Sequence, residues 1–75
     1  MATGELAAQV IAGNVEAAKA LYEEKSDLID LNDTDIEYAD GDSTQRLKKP
    51  LIVVALEQAN EEMVKFLLEK GASVK

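Results

Sequence analysis

The chain has 75 residues, 15 of them acidic and 8 basic, and a formal net charge of −7. Apolar residues make up 47 % and charged residues 31 %, a globular balance, but the length allows only one small domain with a marginal core. There is no cysteine and no histidine, which excludes disulfides, thiolate or imidazole metal sites and Ser-His or Cys-His nucleophile pairs.

In chain order, Leu6, Val10, Ala17, Ala18, Leu21 and Tyr22 fall at helical spacings. Gly13-Asn14 interrupts them, and both residue types tolerate left-handed backbone. The pattern predicts a helix over 4–12, with Thr3 as candidate N-cap, and a second over 15–25 capped by Asn14. Residues 26–48 differ in kind. Leu28, Ile29 and Leu31 precede an acidic arm of Asp33, Asp35, Glu37, Asp40 and Asp42. Asp40-Gly41 signals a turn, and Arg46, Lys48 and Lys49 follow. Opposite charges on the two arms predict a hairpin carrying Ile36, Tyr38 and Leu47, with an irregular loop as the alternative.

Pro50 suits the first position of a helix. The run 51–56 is nearly all apolar, so the helix predicted over 51–58 must be covered on most sides. After Ala59-Asn60 comes another helix bearing Met63, Val64, Phe66, Leu67 and Leu68. Glu61 and Glu62 in its first turn and Lys70 in its last complement the helix dipole. Gly71 stands where a helix end takes a left-handed residue.

The two helical segments superpose at a constant offset. Asn14, Glu16, Lys19, Leu21 and Glu23 match Asn60, Glu62, Lys65, Leu67 and Glu69, each 46 residues further on. A fixed period of this size points to a stacked helical repeat. Residues 60–74, with Asn60, Leu67, Leu68, Gly71, Ala72 and Val74, resemble the second half of an ankyrin repeat. Residues 12–21 resemble the same region of a first, capping repeat, and 26–30 are similar to the exit loop of such caps. The family's period is roughly 33 residues, so about 13 are extra and fall between Asn32 and Lys49. The β-hairpin finger that the family places there is therefore lengthened. The family's Thr-Pro-Leu-His start is degraded, with Pro50 at the Thr position and Val53 at the His position. Ala59 stands where the family has Gly, which predicts a strained turn. The resemblance implies an all-α, solenoid-like repeat fold: two ankyrin-type helix-turn-helix units joined by a long β-hairpin-like loop. Within a single domain over 1–75, it implies a capping repeat at 3–31, a finger at 32–48 and a second repeat at 49–75.

Other chemistry fits poorly. A calcium loop needs Gly at its sixth position and Glu at its twelfth. Counted from Asp33 the sixth residue is Tyr38, and counted from Asp30 the twelfth is Gly41. The adjacent pairs Glu23-Glu24 and Glu61-Glu62 point apart toward water rather than into a pocket, so no acid/base catalysis is expected. No cofactor and no metal are expected either. An acidic chain lacks the clustered cations that nucleic acid and anionic membranes require. No apolar run approaches the roughly 20 residues that span a bilayer. The first lysine is Lys19, so the start does not read as a secretory signal, and a cytoplasmic protein is expected.

The expected function is non-catalytic recognition of a partner protein with a basic patch. The resemblance implies that binding uses the finger tip and the concave helix surface. The finger residues expected to bind are Asp35, Ile36, Glu37, Tyr38, Asp40, Asp42 and Arg46. The second unit's outer face is expected to stay apolar, with Ile52, Val53, Leu56, Met63 and Leu67 meeting further repeats or a second copy. Met1 reads as a native start and Lys75 as a cut end. A small acidic inhibitor or immunity-type protein, with Asp33, Asp35, Glu37, Asp40 and Asp42 as its binding surface, is the alternative. A self-associating stack is a third.

Overall fold

The computed structural model describes residues 2–72. The elements are α1 (Ala2–Ala12), α2 (Val15–Lys25), a short 3-10 turn (Ser26–Leu28), β1 (Ile36–Asp40), β2 (Ser43–Leu47), α3 (Leu51–Glu57) and α4 (Glu61–Glu69). α1 packs on α2, α3 on α4, and the two pairs meet through α1–α3 and α2–α4 contacts.

The two helix turns are built alike. Asn14 N–H donates to Gln9 O and Asn60 N–H to Ala55 O, both at 3.0 Å. Gly13 N–H and Ala59 N–H donate to Val10 O and Leu56 O, also at 3.0 Å. This is the Schellman closure of a helix end, and it needs a left-handed residue after the last turn. Gly13 takes φ 75° and Ala59 φ 56°. Asn14 and Asn60 then cap the next helices, their side chains accepting from Ala17 N–H at 3.3 Å and Met63 N–H at 3.2 Å. The period of 46 residues is therefore repeated bond for bond in the backbone.

Leu6, Val10, Leu51, Ile52, Met63 and Leu67 are the largest fully buried side chains. Tyr22 and Phe66 meet edge to face, with ring centroids 5.8 Å apart, and tie α2 to α4. Gln58 Nε2 donates to Ile11 O at 2.6 Å, which ties the two turns.

Several expectations need correction. The described chain is not all-α, because residues 36–47 form a two-stranded antiparallel sheet. The turn lies one residue beyond the expected pair: Asp40 and Ser43 are partners, so Gly41-Asp42 is the loop. Gly41 has φ 62°, and Asp42 is not among the positive-φ residues. A positive φ at the first central position only is the type II′ signature, whose twist suits a hairpin. Thr3 is not an N-cap. It lies inside α1, 2 % exposed, and its hydroxyl accepts the Asp30 N–H at 2.9 Å. Ile52, Met63 and Leu67 are fully buried in the core, so they do not form an open outer face.

Candidate functional site

The finger is the longest departure from a plain helical pair, and its own charges shape it. Strand register pairs Ile36 with Leu47, Glu37 with Arg46, Tyr38 with Gln45 and Ala39 with Thr44. Alternation puts Ile36, Tyr38 and Leu47 on one face and Glu37, Ala39, Thr44 and Arg46 on the other. The first face turns inward: Ile36 and Leu47 are buried, and Tyr38 is half-buried against the core. β1 also lies against the first turn of α1, where the Glu37 carbonyl abuts Gly4. The finger therefore roofs the start of α1, and Ala2, Thr3 and Gly4 are buried rather than open on a concave face.

The outward face neutralises itself. Arg46 donates to Asp35 Oδ1 at 2.9 Å and to Glu37 Oε2 at 3.2 Å, and Lys48 Nζ lies 3.5 Å from Asp35. The hydrogen bond from Arg46 holds the Asp35 carboxyl below its ordinary range, with the charges of Arg46 and Lys48 adding to it. The same bond raises the Arg46 guanidinium. Asp33 accepts the Asp35 N–H at 3.0 Å and shapes the entry to β1. Asp40 and Asp42 at the tip are exposed and form no ion pair among the described residues. The finger thus has a charge-neutralised stem and an acidic tip.

The backbone sharpens this picture. A two-residue loop makes Asp40 and Ser43 a hydrogen-bonded pair, and such pairs alternate with open ones. The outward N–H and C=O groups of β1 then belong to Glu37 and Ala39, and those of β2 to Thr44 and Arg46. On β1 the Glu37 carbonyl is covered by α1. β2, exposed from Ser43 to Arg46, pairs with no second strand among the described residues.

The expected contact residues divide accordingly. Asp40 and Asp42 are exposed and outside any ion pair among the described residues. Asp35, Glu37 and Arg46 are exposed but engaged with one another. Tyr38 is half-buried against the core, and Ile36, 3 % exposed, belongs to the core and is withdrawn from any partner. Of the five residues expected to face a partner on the second unit, Leu56 is 52 % exposed and Val53 partly exposed. Leu68, 45 % exposed, and Val64 join them, although neither was singled out. The 46-residue offset could have found both. It carries Val10 to Leu56, Ala18 to Val64 and Tyr22 to Leu68, so the covered flank of the first unit becomes the open flank of the second.

Thr3 is the only buried polar residue among those described, so no carboxylate there is desolvated in the manner of a general acid. No group of three or more acidic side chains among the described residues could hold a metal ion. No helix among the described residues is long and apolar enough to cross a membrane.

The fold and the repeated turns define a paired helix-turn-helix protein. The family model described as ankyrin repeat matches residues 49–75, about a third of the chain, and to that family this part of the chain is similar. The family's repeats are generally protein–protein interaction modules and generally non-enzymatic. No curated protein and no solved structure matches the chain.

Proposed function

We propose that the protein is a non-catalytic interaction module that grips a basic segment of a partner protein with its finger tip. One observation carries this reading: Asp40 and Asp42 stay unpaired at the end of a hairpin whose other charges are matched. An anchored stem lowers the ordering cost of binding, and the acidic tip supplies attraction and orientation. In this reading residues 3–31 act as the capping repeat, 32–48 as the recognition element and 49–75 as the second repeat, in a cytoplasmic protein.

The test is an NMR titration of the labelled protein with a Lys/Arg-rich peptide and with a length-matched neutral peptide. Shifts confined to residues 39–44, seen only with the cationic peptide and lost in the Asp40→Asn/Asp42→Asn variant, are expected. Shifts on the helices alone, or equal response to both peptides, would refute the assignment.

A further inference from the structure

We propose that the open flank of α3 and α4 is a dimerisation surface, closed by a second copy of this chain across a two-fold axis. Leu56, Ala59, Glu61, Val64 and Lys65 line a groove of about 470 Å³ there, and Leu68 continues it along α4. Residues 61, 64, 65 and 68 form a single stripe of the helix. In the first unit the equivalent flank is shut: Val10 and Ala18 are fully buried, and Tyr22 meets Phe66. In the second unit Leu56 is 52 % and Leu68 45 % exposed. Side chains of the type that pack between the units thus remain uncovered at one end.

The charges select the occupant. Glu61 and Lys65 flank Val64, and neither forms an ion pair among the described residues. Of the described cations, Lys25, Arg46, Lys48 and Lys49 pair with carboxylates and Lys70 lies over the Tyr22 ring; Lys19 and Lys65 are left outside any ion pair among the described residues, and of these two Lys65 is the one that lines the groove. A two-fold axis crossing α4 between these residues brings Glu61 of each copy opposite Lys65 of the other. The surface is complementary to itself, as an isologous contact requires. A head-to-tail stack is disfavoured, because the outer side of α2 presents Glu16, Lys19, Glu23 and Glu24 to solvent instead of an apolar surface. Two chains of net charge −7 repel, so the dimer tightens as ionic strength rises through about 0.1 M and screens that repulsion. Capture of a basic partner by the finger tip has the opposite salt dependence, which keeps the two surfaces distinguishable.

Sedimentation velocity over a wide concentration range, at moderate salt, tests the proposal on the wild type, Glu61→Lys, Lys65→Glu and the double exchange. Circular dichroism on each sample checks that it is folded. The expected result is a reversible wild-type dimer. Each single reversal, by placing like charges across the axis, weakens it at least about tenfold. The double exchange, at unchanged net charge, restores it. A wild-type monomer at every concentration, growth beyond a dimer, or a dimer indifferent to the reversals would each overturn the proposal.

Discussion

Replacing Gly4 by alanine tests how the finger is held against α1. Within a helix, Gly→Ala alone gains up to about 1 kcal/mol of backbone propensity. The tertiary contact reverses that sign. A methyl group at Gly4 would stand under 3.0 Å from the Glu37 carbonyl oxygen, 3.3 Å from its carbon and 3.6 Å from Tyr38 Cα. All three are backbone atoms, so no side chain can swing aside. β1 must retreat, which loosens buried Ile36 and half-buried Tyr38 from the core. Overpacking of this kind costs about 1–3 kcal/mol, and after the propensity gain a net loss of about 1–2 kcal/mol is expected. At about 4–8 °C per kcal/mol for a domain of this size, the melting temperature falls by roughly 5–15 °C. Thermal melts followed by circular dichroism measure it. A Gly4→Ala variant that melts higher than the wild type would refute the close approach of strand and helix.

Further substitutions probe other joints. Ala59→Gly relieves an L-residue held at φ 56°. Against roughly 1–2 kcal/mol of left-handed strain and up to about 1 kcal/mol of added unfolded-state entropy, a gain of up to about 1 kcal/mol is expected in urea denaturation. Thr3→Val keeps the shape but leaves the Asp30 N–H without its acceptor, which should cost about 1–3 kcal/mol in the same assay. Asp35 titrates below its unfolded value of about 3.9, so its pairing stabilises the hairpin above that pH and is lost as pH falls through the lowered folded value. Asp35→Asn should therefore reduce amide protection in β1 and β2 at neutral pH, while the variant's hairpin becomes insensitive to acid over that window; hydrogen exchange read by NMR checks both.

The parts legible in the sequence share one property: each depends on a few neighbouring residues. Asn14 and Asn60 read as caps because a side chain can reach the third amide ahead, and both do so. Gly13 read as a turn residue because glycine tolerates left-handed backbone, whereas the strain at Ala59 followed only from the resemblance, which puts Gly there; both take a positive φ. The hairpin was legible as two arms of opposite charge around a glycine. Its exact loop, Gly41-Asp42, depends on strand pairing and came out one residue away.

Residue face and reach were decided by tertiary packing. The helix α3 is apolar on nearly every side, so its periodicity does not say which side is inward. What packs against it buries Ile52 fully and leaves Leu56 half open. Ile36 and Tyr38 look alike as finger residues, yet the fold of the hairpin onto α1 puts one in the core and the other at its margin. Thr3 serves Asp30, 27 residues away, instead of its own helix end. From sequence alone came the repeat, its turns and its caps, because those are short-range demands of the backbone. Which apolar surface is core and which remains open was settled only in three dimensions, because burial depends on what arrives from elsewhere in the chain.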